Sequence, residues 1–323
     1  MYKYKNKSGR ISRTFHKFFC VLPPLTVLFA LSACSKSPAS TEHIPASDSV
    51  SSIASEAFTD EDSSNISPYD ASDSAEPSES DIIIPTSPAK QNDITAERIN
   101  NTYGVNIKYG SEVTWSYAAS GTGITDNALI ASRLEMLEEC LKKYPVSLFS
   151  DLNKYSPITI NLVDTLGGAD GYTDGSNKAA IEIALSCDNS DLYFSLAFHH
   201  ELFHFIEYCI MYNFDNAAEL LDTDEYTDTE LYNTDDYSGT IYSTDSDIYS
   251  QYFTSIYAKT NRLEDRAELF SYYMGNTVKE CMRYPDTPIS LKMKKISAAI
   301  RLCCPSLSDY EPGSLPWEEK IAY

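Results

Sequence analysis

The sequence predicts one α+β domain, at residues 93–323, in which a small sheet packs on a long buried helix and a helical subdomain follows. Three observations lead to this fold class. Residues 158–163 and 179–184 are rich in β-branched and apolar side chains and are typical of strands. Residues 192–212 are mostly apolar or aromatic and contain no Gly or Pro, which predicts a buried helix. Beyond that helix the chain shows helical periodicity and no comparable strand pattern.

Residues 1–33 predict a signal peptide that is removed. A basic start precedes an apolar run over residues 18–33, which is short for a membrane span. The run ends in Leu31-Ser32-Ala33-Cys34, which resembles the bacterial lipobox, where cleavage precedes the cysteine and its thiol carries lipid. We therefore expect a lipid on Cys34 that anchors the protein to the outer face of the cell membrane. The alternative is an ordinary signal peptide with an incidental cysteine.

Residues 34–92 predict a lipidated, disordered tether. They are rich in Ser, Asp, Glu, Pro and Ala and contain no Gly, so they cannot bury enough apolar surface to offset the ordering entropy. Loss of the leader reduces the 25 basic residues to 19 against 47 acidic ones, a net charge of −28. This charge disfavours nucleic acid and anionic headgroups as partners, so the membrane would be reached through the lipid anchor alone.

From residue 93 onward the chain alternates helix and strand patterns. The predicted elements are a helix at 94–103, a strand at 105–109, a helix that Asp126 caps and that ends before Pro145, a strand at 158–163, a flexible glycine-rich loop at 167–175 and a strand at 179–184. The long helix at 192–212 follows, and then helices at 262–274 and 289–304. The acidic, tyrosine-rich stretch 213–251 lacks EF-hand spacing, so we interpret it as solvated loops lining a cleft.

Six cysteines remain outside the leader and the lipobox. An extracytoplasmic location permits disulfides, but six cysteines allow 15 full pairings and the sequence does not choose among them. No CxxC pair is present, which disfavours a structural thiolate zinc site. The six are Cys140, Cys187, Cys209, Cys281, Cys303 and Cys304.

Residues 200–204, inside the long helix, read His-Glu-Leu-Phe-His. Residues four apart lie on one face of a helix, so His200 and His204 can direct ring nitrogens at one metal ion. Glu201 follows the first histidine, close enough to accept a proton from a water molecule at that metal. The alternative is a buried helix whose histidines are satisfied by ordinary hydrogen bonds.

A third metal ligand has to come from outside the histidines. The predicted domain contains His199, His200 and His204, and His199 lies about 100° around the helix from His200, so we expect it to pack or hydrogen-bond nearby. A catalytic zinc site usually takes three protein ligands, which leaves a carboxylate or a cysteine for the third position.

Glu264 and Glu268 are the candidates, one helical turn apart on the helix at 262–274. Such a pair can supply both a metal ligand and an acceptor for the second ring N–H of a histidine ligand. The alternative is a pair of solvated glutamates on the helix surface. Tyr257 lies seven residues before Glu264, and its phenol could donate a hydrogen bond to the oxyanion of a tetrahedral intermediate.

Residues 256–270 resemble the segment that follows HExxH in the catalytic domain of anthrax lethal factor and its relatives, which include the clostridial Pro-Pro endopeptidases. The shared pattern is Tyr-x-x-Thr-Asn followed by Glu-x-x-Ala-Glu. The resemblance implies Glu264 as the zinc ligand and Tyr257 as the catalytic hydrogen-bond donor, and leaves Glu268 to orient a histidine. Two departures concern Phe203, where the relatives have Gly, and Asp265-Arg266, which replaces two aromatic residues.

We therefore expect a gluzincin-type zincin domain that holds one Zn²⁺ and hydrolyses peptide bonds of an envelope or extracellular protein or peptide, with Glu201 as general base. The alternative is a catalytically degenerate zincin-fold lipoprotein that only binds a partner, although such a protein has no need of Glu201 or Tyr257. A solute-binding lipoprotein would need two α/β lobes, and this chain has too few strand–helix units.

Overall fold

The computed structural model describes residues 86–116, 121–232, 249–276 and 287–321. The predicted signal peptide, Cys34, most of the predicted tether and Cys281 lie outside these residues. The helix predicted at 94–103 begins earlier, at Pro88, because Ser87 caps it and accepts a hydrogen bond from the backbone N–H of Lys90. Asn92, assigned to the tether from composition, is buried, and its amide donates to the backbone carbonyl of Asn127.

The described elements reproduce a mixed α+β architecture with a small sheet and several helices. The helices are α1 (Pro88–Tyr103), α2 (Asn127–Leu141), α3 (Val146–Leu152), α4 (Asp191–Asn213), α5 (Ala217–Leu220), α6 (Tyr249–Tyr252), α7 (Arg262–Gly275) and α8 (Pro288–Cys303). The strands are β1 (Val105–Lys108), β2 (Ile158–Val163), β3 (Gly171–Asp174) and β4 (Glu182–Ser186). Asp126 caps α2 as predicted, accepting from the backbone N–H groups of the next turn.

The four strands form one sheet in the order β1-β2-β4-β3. The strands β1, β2 and β4 are parallel, and β3 runs antiparallel to β4 at the edge. Side chains that point to one face of the sheet, such as Ile183 and Leu185, join the main core with α4, whereas Ala184 and Tyr172 join a smaller cluster on the opposite face. The sheet therefore presents one covered face to the long helix.

Two predictions about this sheet were wrong in detail. The glycine-rich stretch predicted as a flexible loop contains β3, whose conformation is fixed by pairing with β4. The strand predicted at 179–184 begins three residues later, at Glu182, because Asn177 first forms a turn and accepts hydrogen bonds from the N–H groups of Ala179 and Ala180.

The helices behind the sheet bury most of their apolar side chains. The predicted helices at 192–212, 262–274 and 289–304 are confirmed as α4, α7 and α8. Five of the six cysteines are buried free thiols, namely Cys140, Cys187, Cys209, Cys303 and Cys304. Within the described residues, none of the helices combines the length and apolar character needed to cross a membrane.

Candidate metal centre

Helix α4 carries the HExxH residues inside the core. It begins at the cap Ser190, and its residues from Phe194 to Glu207 are nearly all buried. Apolar side chains lie on every side of this helix, which is the pattern of a helix surrounded by protein. His200 and His204 lie one turn apart and face α7.

Helix α7 brings the first of the two candidate glutamates to the histidines. Asn261 caps this helix, and its side-chain oxygen accepts from the N–H of Leu263 at 2.8 Å and of Glu264 at 3.1 Å. The cap satisfies two N–H groups that a helix start leaves without partners. It fixes the first turn of α7, in which Glu264 faces α4.

His200, His204 and Glu264 form a compact cluster of donor atoms. Glu264 Oε2 lies 3.1 Å from His200 Nε2 and 3.5 Å from His204 Nε2, and the two Nε2 atoms are 3.0 Å apart. One donor atom from each residue lies within 4.8 Å of the others, and all three side chains are buried. Among the described residues, this is the group of His, Cys, Asp and Glu side chains that could hold a metal ion.

The donor set fits a zinc ion. Two imidazole nitrogens and one carboxylate, with room for a further ligand, make up a familiar catalytic zinc site. Electrostatics point the same way, because the acids around the histidines favour positive charge in this pocket. Burial by itself lowers the pKa of His204, but Glu264 and Glu207 outweigh it and raise the pKa to about 9. A divalent cation would supply that positive charge in place of protons.

The outer nitrogen of His200 is held by a chain of hydrogen bonds. His200 Nδ1 lies 2.9 Å from Glu268 Oε1, and Glu268 Oε2 accepts from the Ser255 hydroxyl at 2.5 Å. The Ser255 oxygen in turn accepts from the N–H of Ala258 at 3.0 Å. If Nδ1–H donates to Glu268, Nε2 keeps its lone pair for a metal. Glu268 therefore lies within hydrogen-bond distance of a histidine of the cluster, as the sequence predicted.

The outer nitrogen of His204 has a carboxylate on its own helix. Glu207 Oε2 lies 3.6 Å from His204 Nδ1, and Oε1 accepts from the Arg266 guanidinium at 2.5 Å. Arg266 also donates to the backbone carbonyl of Leu221 at 3.1 Å. Both charged side chains are buried, so each histidine of the cluster is backed by a carboxylate that a second residue holds in place.

The general-base candidate Glu201 is buried beside the cluster. Its Oε2 accepts from the Thr173 hydroxyl at 2.8 Å, whereas Oε1 has no hydrogen-bond partner among the described residues. Burial raises the pKa of Glu201 and outweighs the opposing effects of His200 and His204. The carboxylate is therefore placed to accept a proton at Oε1.

The Tyr257 ring lies near that of His200. Tyr257 opens a short 3-10 turn, Tyr257–Lys259, just before α7, and its ring centroid is 6.0 Å from that of His200. The predicted catalytic tyrosine is thus close to the donor cluster. Its role in catalysis stays a prediction.

His199 lies on a different side of α4 and takes no part in the cluster. Its Nδ1 is 2.7 Å from the Tyr144 hydroxyl, and its Nε2 is 3.3 Å from the Lys143 ammonium. Burial and, to a smaller extent, Lys143 lower the pKa of His199 well below its usual value. A His199 side chain that hydrogen-bonds in the core, away from the face of His200 and His204, is what the helix geometry predicted.

The two departures from the lethal-factor pattern have structural roles. Phe203 is fully buried and packs on Phe270 of α7, with ring centroids 5.3 Å apart. Asp265 binds the fully buried Lys292 of α8 at 2.7 Å. Together with the Arg266–Glu207 pair, these contacts attach α7 to both α4 and α8.

Sequence reasoning did not find Thr173, Ser255, Glu207 or Arg266. Glu207 follows His204 by three residues, a spacing that brings two helical side chains together, so this signal was available. The other three act across elements, and nothing in their local sequence shows which atoms they meet. Acids of 213–232 also have partners within the protein. Asp224 binds Arg262 of α7 at 2.7 Å, whereas Asp222 and Asp228 accept from backbone N–H groups two residues away.

Comparisons with known proteins give little further guidance. No family model matches the chain, and no curated protein matches it. A crystal structure from Bacteroides caccae, provisionally assigned as a zinc-binding metallo-peptidase, is similar over 72% of this chain and 92% of that chain, at 12% identity and a TM-score of 0.38. That similarity is too weak to carry an argument, so the functional conclusion depends on the site itself.

Proposed function

We propose that this chain is a zinc-dependent endopeptidase with a gluzincin-type centre like that of the lethal-factor-like metallopeptidases. One observation carries the proposal. A donor atom from each of His200, His204 and Glu264 lies within 4.8 Å of the others, and the fully buried carboxylate of Glu201 lies beside them. Three ligands from two helices, with a potential base next to them, are the parts that zinc-dependent hydrolysis requires.

In this proposal His200, His204 and Glu264 hold one zinc ion. When bound, the ion polarises the scissile carbonyl and lowers the pKa of a water molecule. Glu201 accepts the proton of the attacking water at Oε1 and passes it to the nitrogen of the leaving amine. Tyr257 donates a hydrogen bond from its phenolic O–H to the developing oxyanion, the role that the resemblance implies.

The free edge of β3 supports a peptide as the substrate. In the described part of the chain, β3 pairs with β4 and with no second strand. The N–H of Ser186 donates to the carbonyl of Asp170, so in this antiparallel register the backbone groups of Gly171 and Thr173 face away from β4. An extended peptide could form backbone hydrogen bonds with them, as peptides do when they add to a sheet edge.

The cellular setting is proposed from the sequence pattern. A lipid on Cys34 would hold the enzyme at the outer face of the membrane, and the strongly negative chain would steer basic peptide segments toward it. We expect the wild type to partition into detergent and Cys34→Ala to remain in the aqueous phase after signal cleavage. Equal partitioning of the two would remove the anchor from the proposal.

The central experiment is digestion of a peptide library by the purified protein after zinc loading, with Glu201→Gln as the matched control. We expect about one zinc per chain in both proteins and cleavage only by the wild type, because the substitution removes the base and leaves the ligands. Zinc in both proteins without cleavage by either would favour the alternative of a binding protein with a degenerate site.

A further inference from the structure

The edge strand β3 contacts the general-base candidate through the Thr173 side chain. The Thr173 oxygen lies 2.8 Å from Glu201 Oε2 and 2.9 Å from the backbone carbonyl oxygen of Glu201. A hydroxyl has one proton to donate, and a bond to a carboxylate is the stronger of the two. Thr173 is itself buried, so this hydrogen bond is shielded from solvent.

Gly171 confines the same side chain from the neighbouring position on that face of β3. A Cβ atom at residue 171 would lie 2.6 Å from Glu201 Cγ and 2.9 Å from Glu201 Oε1. Both distances are too short for unbonded atoms, so any other residue at 171 would displace the carboxylate or the strand. The backbone of β3 thus reaches the Glu201 side chain directly.

We propose that Thr173 and Gly171 are positioning residues that hold Glu201 in the geometry of a general base. The inference rests on the proposed function, because it takes Glu201 to be the base. The hydroxyl fixes Oε2, the backbone at Gly171 limits the rotation of the side chain, and Oε1 remains as the oxygen without a hydrogen-bond partner among the described residues. A reacting group misplaced by about 1 Å can cost roughly 100-fold in rate, so this restraint affects turnover.

The arrangement also couples the base to the peptide. The backbone groups of Gly171 and Thr173 face the free edge of β3, where an extended substrate would pair. The two residues that hold Glu201 would therefore also set the position of the scissile peptide. A purely structural role, in which Thr173 only satisfies a buried carboxylate, predicts reduced stability but no selective loss of turnover.

The test compares Thr173→Val, Thr173→Ser and Gly171→Ala, with Thr159→Val as control. Thr159 is a buried threonine on β2, two strands from β3. We expect Thr173→Val and Gly171→Ala to lower kcat by about 10- to 100-fold with zinc content unchanged, and Thr173→Val, which leaves the strand backbone in place, to change KM by less than about twofold. Thr173→Ser should restore kcat to within a few-fold, and the control should match the wild type.

A second measurement does not depend on activity. Thr173→Val should lower the Tm by about 2–4 °C, because Glu201 loses its hydrogen bond, and should have no further effect in a Glu201→Ala background. Wild-type kcat in Thr173→Val, or loss of zinc together with kcat, would overturn the inference. If the zinc-loaded wild type cleaves no peptide, the proposed function fails by itself. In that case the Tm values still test the contact. If Thr173→Val lowers the Tm by the same amount in the wild-type and Glu201→Ala backgrounds, β3 does not hold Glu201.

Discussion

Glu201 and Glu318 are both buried glutamates, but the two regions around them satisfy the carboxylate differently. Glu318 Oε1 accepts from the Ser297 hydroxyl and from Arg301, each at 2.6 Å. Its Oε2 accepts from Arg301 at 2.7 Å and from the N–H of Gly313 at 3.0 Å. Glu201 has one hydrogen bond from a side chain and one oxygen without a partner among the described residues.

Although both side chains are buried, the pKa values of Glu201 and Glu318 shift in opposite directions. Burial raises the pKa of Glu201. Burial also acts to raise the pKa of Glu318, but the hydrogen bonds from Arg301 and Ser297 outweigh it and lower the pKa below its usual value. A fully satisfied buried carboxylate stabilises the fold, whereas an incompletely satisfied one beside metal ligands is a candidate for chemistry. The predictions below test this division.

The largest expected effect is at Glu264. Glu264→Ala should lose both the zinc and all measurable peptidase activity, because one of three ligands is gone. Elemental analysis by mass spectrometry and a peptide assay measure the two losses. Glu318→Gln should keep one zinc per chain and serves as the control from the second region. If Glu264→Ala kept its zinc while Glu268→Ala lost it, the ligand assignment would be wrong by one helical turn.

Tyr257 should affect turnover and leave the metal in place. Tyr257→Phe removes one proposed oxyanion donor, which costs about 10²–10³ in kcat, or roughly 2.7–4 kcal/mol. Steady-state kinetics with zinc quantified in the same samples would measure this. Full activity in Tyr257→Phe would rule out the proposed mechanism even with the metal site intact.

Glu268 should have a smaller effect, on metal affinity. Glu268→Gln weakens the hydrogen bond that orients His200, so we expect zinc to bind roughly 10- to 100-fold more weakly and activity to return with excess zinc. Titration against a competing chelator gives the affinity. An unchanged affinity would mean that the contact between Glu268 and His200 does not support the ligand.

The smallest effect on activity is expected at Glu318. Glu318→Gln should reduce the free energy of unfolding by about 1–3 kcal/mol, because charge-assisted hydrogen bonds are weakened, while zinc content and kcat stay unchanged. The folded-state pKa lies below the ordinary value of 4.5, so this stabilisation is complete above pH 4.5 and is lost as the pH falls through the folded-state pKa. Thermal unfolding of wild type and variant should therefore converge in acid. A constant difference across that range would contradict the assignment.

The sequence predicted the parts of the site that depend on local spacing. The apolar run around His200 indicated α4, helical periodicity indicated α7, and a separation of four residues placed His200 and His204 on one face. These features are properties of a single helix. They can be read without knowing what the helix packs against.

The parts that were missed depend on contacts between elements. The strand β3 has four residues, and its two-residue alternation is hidden by Gly171, which is required by the approach of Glu201 rather than by strand propensity. Ser255 and Arg266 likewise gain their roles from α4, which is distant in sequence. The start of α1 was missed because its polar composition matches a tether, although Ser87 and Pro88 form a helix start.

The adjacent pairs Asp265–Lys292 and Arg266–Glu207 have a consequence for how the site opens. Both pairs are buried, and they attach α7 to α8 and to α4. If α7 detached alone, it would leave Lys292 and Glu207 charged and unpaired inside the protein, which is costly. Local fraying of the helix that carries Glu264 is therefore disfavoured. We expect amide hydrogens of α4 and α7 to exchange through one shared opening, so that a bound metal would be released only when this cooperative unit unfolds.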